Sequence, residues 1–245
     1  MKAMVFAAGR GTRLKPLTDT RPKALVEVGG EPLIAHVLRR LVAAGVTEAI
    51  VNLHHFGEQI PPYLASQGNF GLRRVAYSEE PELLDTGGGL KQASWFFDDG
   101  EPFFVHNADV LSTVDLAALM RAHRETGALA TLAAMARPTA RPLFFDAENR
   151  LVGRRSASKG DELVRAPHGE VSPLGFCGIH VASPEVFREL TETGAFPIAG
   201  SYLRLAAAGA AIRAHRVDGA KWRDCGRLED LRPLVRALVA EELER

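Results

Sequence analysis

MKAMVFAAGRGTRLKPLTDTRPK, residues 1–23, is the stretch on which the reading of the fold turns. Residues 2–7 are mostly apolar and strand-like, and they run straight into Ala8-Gly9-Arg10-Gly11-Thr12, with Arg13 and Lys23 behind. A strand that ends this way is built to hold polyphosphate. Gly9 and Gly11 can take positive φ and put no Cβ in a ligand's way, so successive N–H groups from Ala8 to Thr12 can face phosphate oxygens. Arg13 and Lys23 then supply mobile positive charge. Two other glycine loops are excluded. The Walker A spacing G-x-x-x-x-G-K-[ST] is not met, and a Rossmann fingerprint wants a small residue where Leu14 stands, while Pro16 keeps a helix from starting at once. On Gly9 and Gly11 alone, a plain turn between strand and helix stays open.

Outward from the loop, short apolar runs alternate with segments of helical period, the pattern of a sheet with crossover helices. Pro32 opens a helix over 32–44 that Gly45 stops, and 48–53 reads as a second strand. The same reading gives helices over 57–66, 88–97 and 114–126, and strands over 73–78, 102–106 and 129–135. From Arg137 to Val171 the prolines at 138, 142 and 167 break any long helix. There 143–145 and 151–154 suggest a hairpin, part of an insertion at about 137–172 that forms the second wall of a cleft. Strands over 174–181 and 211–217 and helices over 184–190, 198–208 and 227–242 complete the chain. The expected fold is α/β: a Rossmann-like, doubly wound mixed sheet in one domain spanning 1–245.

Composition narrows the partners. With 46% apolar and 24% charged residues the chain has the make-up of a soluble globular protein, and 30 basic against 30 acidic residues leave no field that favours nucleic acid or an anionic membrane. Cys177 and Cys225 are too few for a disulfide framework or a zinc site and read as small buried thiols. No apolar run is long enough for a membrane span, and the N-terminus lacks a signal-peptide pattern, so a cytoplasmic protein is expected.

Asp109 follows the apolar run 102–106, beyond a strand's carboxyl end, where open α/β sheets bind ligands. Mg²⁺ takes one or two carboxylates and fills its octahedron with water and phosphate, which suits an Asp here; a loop or helix-cap role stays open on position alone. Glu80 is a further candidate. A carboxylate that accepts from an imide N–H suits uracil, thymine or guanine, whereas cytosine N3 offers no proton. His54-His55 is read as a loop or helix entry, because adjacent side chains on a strand point apart. Phe103-Phe104 and Trp95-Phe96-Phe97 are read as core.

The full run G-x-G-T-R-L-x-P-L-T followed by P-K resembles the signature of the sugar-1-phosphate nucleotidylyltransferases. Every fixed position is filled: Gly9, Gly11, Thr12, Arg13, Leu14, Pro16, Leu17, Thr18, Pro22 and Lys23. The resemblance implies an enzyme that joins an NTP and a sugar 1-phosphate with release of pyrophosphate, using Mg²⁺. Asn107-Ala108-Asp109 is similar to the family's N-G-D, with Ala for Gly, and Trp222-Arg223-Asp224-Cys225-Gly226 to its W-x-D-x-G; the resemblance makes Asp109 and Asp224 the metal ligands. Asp85-Thr86-Gly87-Gly88-Gly89 resembles the base-binding segment, in which Gly87 and Gly88 would let a flat base lie against the backbone before a helix. It is most similar to the branch holding the N-acetylmuramate-1-phosphate uridylyltransferases of cell-wall recycling and the mannose-1-phosphate guanylyltransferase-like enzymes. Gly178 stands in a G-I-x-V-x-x-P segment whose Gly lies near the sugar in the family, while the stretch from Arg154 to Gly160 lacks the relatives' Glu-Lys-Pro triplet. The favoured substrates are UTP and N-acetylmuramate 1-phosphate, in a monomer or small homo-oligomer. The alternatives are a mannose-1-phosphate guanylyltransferase, a cytidylyltransferase for an alcohol phosphate such as phosphocholine, and a non-catalytic nucleotide-sensing module.

Overall fold

The computed structural model describes residues 1–156, 158 and 160–231. In chain order the first half holds β1 (Lys2–Phe6), β2 (Glu27–Val28), β3 (Glu31–Pro32), α1 (Leu33–Ala43), β4 (Glu48–Leu53), α2 (Ile60–Ser66), β5 (Arg74–Glu79), α3 (Asp85–Gln92), β6 (Phe103–Asn107) and β7 (Val110–Ser112). Then come α4 (Leu116–Thr126), β8 (Ala130–Met135), β9 (Leu143–Phe145), β10 (Leu151–Ser156), β11 (Gly160–Leu163), β12 (Ser172–Ala182), α5 (Val186–Glu189), α6 (Ile198–Ala207), β13 (Ile212–Arg216) and β14 (Trp222–Asp224). The result is the expected mixed parallel and antiparallel sheet with helices around it. Residues 228–231 begin the closing helix expected over 227–242; the rest of that helix, and Lys159, lie outside the described residues.

The chain forms two compact units. Met1–Leu83, His106–Thr113 and the described residues from Lys221 make the first; Leu84–Val105 and Val114–Ala220 make the second. In the first unit β4 lies between β1 and β5, all parallel, with Val51 opposite Val5 on one side and Tyr77 on the other. All six residues of β4 are buried, which is why it reads as an apolar run with no alternation. On α1 the buried Leu33, Ile34, Val37, Leu38 and Leu41 recur at helical spacing and form the inner stripe; Gly45, at φ 90°, ends it. Between β2 and β3, Gly29 and Gly30 both have positive φ, the backbone of a two-residue hairpin turn.

In the second unit β8 pairs antiparallel with β12 and parallel with β13. Antiparallel pairs then link β12 to β9, β9 to β10 and β10 to β11. The expected hairpin in the 137–172 segment is thus present as β9 and β10, and gains a third strand, β11. Its turn is tied by Asp146. The buried carboxylate accepts from Arg150 Nε (2.8 Å) and Nη2 (2.6 Å) and from the N–H groups of Glu148, Arg150 and His168. Burial opposes ionisation, but these donors win and hold the carboxyl at about 2. Helix α4 is capped as its sequence asks: Asp115 accepts from Ala118 N–H at 2.8 Å, and Gly127 closes it at φ 57°.

Two expectations need correction. The helix expected over 88–97 is α3, over 85–92, followed by a 3-10 turn from Ala93 to Phe96. Trp95 on that turn is 53% exposed, because the tight turn aims it outward, whereas Phe96, Phe97, Phe103 and Phe104 are core; Phe97 stacks on Phe103 with ring centres 3.8 Å apart.

Candidate active site

The glycine loop leaves β1 at Ala7. Gly11 is left-handed, at φ 63°, and a Cβ there would come within 2.8 Å of Thr18 Cγ2 and 3.1 Å of Lys23 Cβ, so only glycine fits. Its carbonyl accepts from Leu14 N–H and Thr18 Oγ1, both at 2.8 Å, and these bonds fold the loop back on itself. Gly9 departs from expectation, since its φ is not positive. It serves by openness, with nothing within 4 Å of a Cβ placed there. Leu14, fully buried with Val26, Val28, Leu33 and Cys225, is the loop's anchor, worth about 1.5–3 kcal/mol of burial. A third glycine in its place would leave the loop unmoored. Thr12 and Arg13 stand exposed beside it in a 3-10 turn, and Lys23 begins another.

Asp109 and Asp224 come from separate stretches of the unit's sequence, the middle and the last. Strands β7 and β14, three residues each, join them: Asp224 pairs with Val110, and Cys225 N–H donates to the Asp109 carbonyl at 2.8 Å. The Ala in Asn107-Ala108-Asp109 causes no strain, because Ala108 has no positive φ and its N–H donates to the Phe6 carbonyl at 3.0 Å. Lys23 Nζ is ion-paired with Asp109 Oδ2. Asp224 Oδ1 accepts from Gly226 N–H at 2.8 Å. Partial burial first, then the charge of Asp109, pushes the Asp224 carboxyl above its ordinary range, against the pull of Lys23 and Arg13. Gly226 marks the meeting point. A Cβ there would lie 2.7 Å from Asp224 Oδ1, 3.1 Å from Lys23 Nζ and 3.3 Å from Arg13 Nη2. Two cations and two carboxylates from four segments of the chain therefore converge. Cys225 beside them is buried, its thiol pushed up to about 12 by burial, then by Asp109, so it stays protonated.

The remaining candidates lie in other settings. Glu80 is 3% exposed and its Oε1 accepts from Asn52 Nδ2 at 2.7 Å, so it is an inward-facing carboxylate already engaged by protein. His54 is at a loop, as expected, its Nδ1 bonded to the Glu80 carbonyl at 2.8 Å. Gly87 and Gly88 sit inside α3, not before it. A Cβ on Gly87 would strike the Phe196 ring and one on Gly88 the Gly194 carbonyl, so close packing against 194–196 accounts for glycine at both. Gly178, at φ 70°, lies where the β12–β8 register shifts between Phe176 and His180, a bulge that glycine permits. Sequence reasoning missed Asn52, whose signal was an amide in a buried apolar strand, and gave Gly226 no role. Among the described residues no three or more His, Cys, Asp or Glu side chains gather as a metal site, and no helix is long and apolar enough to cross a membrane.

Residues 2–146, which carry the loop and Asp109, match the nucleotidyl transferase family. The chain belongs to that family. This nucleotidyltransferase is 38% identical over 216 residues to the N-acetylmuramate alpha-1-phosphate uridylyltransferase of Caulobacter vibrioides, covering 84% of this chain and 85% of that protein. It is 35% identical over 253 residues to the protein of the same name from Neisseria meningitidis serogroup B, covering 97% and 99%. Among solved structures it is similar to a UDP-glucose pyrophosphorylase complexed with UDP-glucose, with a TM-score of 0.77 and 21% identity over 100% of this chain and 99% of that one. At that identity the likeness speaks for the fold alone.

Proposed function

We propose that the protein transfers the nucleotidyl group of an NTP to a sugar 1-phosphate, giving an NDP-sugar and pyrophosphate, with UTP and N-acetylmuramate 1-phosphate as the favoured pair. One observation carries the reading: Arg13 Nη2, Lys23 Nζ and Asp224 Oδ1 surround a single point, the place a Cβ on Gly226 would take, with Asp109 paired to the same lysine. The choice of substrates is supported by the names of two relatives that are 38% and 35% identical and are matched over 84% and 97% of this chain.

A phosphate oxygen of the sugar substrate attacks the α-phosphorus, the bond to the bridging oxygen breaks, and pyrophosphate leaves with the electron pair. The nucleophile is already an anion, so no general base is needed. The chain's task is to hold two anions in line and neutralise charge as it builds on the leaving group. Arg13 and the N–H groups of Gly11 and Thr12 hold the leaving phosphates, and Lys23 holds the α-phosphate. Asp109 and Asp224 fit Mg²⁺: two adjacent carboxylates, one with its acidity weakened by burial and then by the other's charge, favour a cation that completes its shell with water and phosphate. When bound, the ion would screen the α-phosphate. The proposal keeps Ala8 and Gly9 at the phosphates, Gly87 and Gly88 at the base and Gly178 at the sugar.

A matrix of UTP, GTP, CTP and dTTP against N-acetylmuramate, mannose and glucose 1-phosphates and phosphocholine, read by pyrophosphate release with Mg²⁺, tests the reading. UTP with N-acetylmuramate 1-phosphate is expected to give the highest kcat/KM. A preference for GTP with mannose 1-phosphate, or for CTP with phosphocholine, replaces the substrates; nucleotide binding without pyrophosphate release in any cell of the matrix makes the chain a sensing module.

A further inference from the structure

Asn52 is 3% exposed near the carboxyl end of β4, opposite Phe6 of β1 and Ser78 of β5. Its side chain reaches the continuations of both neighbours. Oδ1 accepts from Ala7 N–H at 2.6 Å and Ala8 N–H at 3.3 Å, and Nδ2 donates to Glu80 Oε1 at 2.7 Å. Two backbone donors on one atom settle which end of the amide is oxygen, so the NH₂ must face Glu80. Glu80 is itself fixed, since its N–H donates to the Leu53 carbonyl at 2.8 Å and its carbonyl accepts from His54 Nδ1 at 2.8 Å. An amide and a carboxylate are costly to bury. The parallel pairing of β1, β4 and β5 runs through Asn52 as a backbone register, to which these side chains add nothing.

We infer that Asn52 and Glu80 form a positioning pair that aims the phosphate loop. Ala7 and Ala8 are its first two residues, and fixing their N–H groups fixes the peptide planes from which Gly9 to Thr12 continue. Neither side chain need touch substrate. What matters is the polarity of the pair: acceptor toward the loop, donor toward Glu80, with the carboxylate as the stop that orients the amide. The inference rests on the nucleotidyl-transfer reading for what the loop holds.

A polarity swap tests it. Asn52→Asp keeps an acceptor for the loop but removes the donor and sets two carboxyl groups face to face. Glu80→Gln keeps an acceptor oxygen for the amide. The double variant exchanges amide and carboxylate across the pair and rebuilds the bonds named above, with the new carboxylate at 52 accepting from the loop and from the new amide at 80. Asn52→Asp is expected to lower kcat/KM about 100-fold through loop misplacement and to weaken UTP affinity measured by calorimetry. Glu80→Gln should lose far less than Asn52→Asp, and the double variant should recover at least about tenfold over that single one. All four proteins are compared well below the lowest thermal midpoint of the set, where a merely structural pair would leave the constants of the folded protein unchanged. Wild-type kcat/KM and UTP affinity in Asn52→Asp, or a double variant as impaired as that single one, overturns the inference. Should Asn52→Asp not fold, Glu80→Ala against Glu80→Gln makes the same contrast, with the larger loss expected in the alanine variant and equal activity refuting the pair. A wild type that releases no pyrophosphate in any cell of the matrix defeats the functional reading instead, and the UTP affinities of the same variants still decide the pair.

Discussion

Gly226→Ala puts one methyl group at the point where the site's charges meet. Gly226 has no positive φ, so alanine can adopt its backbone, and the atoms it would strike are the ends of side chains. The added Cβ would lie 2.7 Å from Asp224 Oδ1, where ordinary contact begins at 3.4 Å, so the carboxylate must retreat by about 0.7 Å. Lys23 Nζ and Arg13 Nη2, at 3.1 and 3.3 Å, must give by a few tenths. Displacing a reacting group by about 1 Å costs on the order of 100-fold. The expected loss in kcat is therefore about 30- to 100-fold, or about 2–3 kcal/mol in barrier. The fold should lose no more than about 1 kcal/mol, because flexible ends move where packed core would not. Continuous pyrophosphate release beside a thermal melt measures both. A kcat within about threefold of wild type, with an unchanged melt, would show that Arg13, Lys23 and Asp224 do not act from the positions that surround Gly226.

Other outcomes follow from single contacts. Asp109→Asn removes both a carboxylate and the partner of Lys23, and turnover should fall by about two to three powers of ten with the fold retained; near-normal Mg²⁺-dependent pyrophosphate release would end the assignment. Gly87→Ala should lower stability by about 1–3 kcal/mol through collision with Phe196. Unchanged stability would show that the glycine is not packed against that ring. Asp146→Asn leaves Arg150 without its buried counter-charge and should cost about 3 kcal/mol in urea unfolding at neutral pH. The Asp146 carboxyl sits at about 2 against an ordinary 3.8, so the unfolded chain binds the proton more readily. Its contribution of about 2 kcal/mol is full above pH 4 to 5 and is lost as pH falls toward 2. Melts of wild type and variant across that window should converge; parallel curves would sink the assignment.

What the sequence revealed depended on whether a residue's neighbours were also its neighbours in the chain. β4 was legible to the residue because Ala49, Ile50 and Val51 run without alternation between Gly45 and the His54-His55 loop. The loop was legible because Gly11, Thr18 and Lys23 meet within thirteen residues of sequence, and their contacts explain the motif's spacing. β7 and β14 were not legible, since three residues carry no period, yet they bring Asp224 to Asp109. The glycines of α3 misled for a related reason: what they accommodate, Phe196, lies over a hundred residues away. Asn52 gave a local sign, an amide among Ala49, Ile50 and Val51, but its partners sit on flanking strands.

The first unit is assembled from three stretches of chain, and they divide the site's charges unevenly. Arg13 and Lys23 lie in the opening stretch, Asp109 in a short middle one and Asp224 in the last. Synthesis proceeds from the N-terminus, so the growing chain carries a purely cationic cradle for more than eighty residues before its first carboxylate partner exists. In that interval Lys23 has no Asp109 to pair with, and Arg13 and Lys23 would suit any free polyphosphate in the surroundings. On the proposed function, selectivity for a metal-bound triphosphate would belong to the finished chain alone.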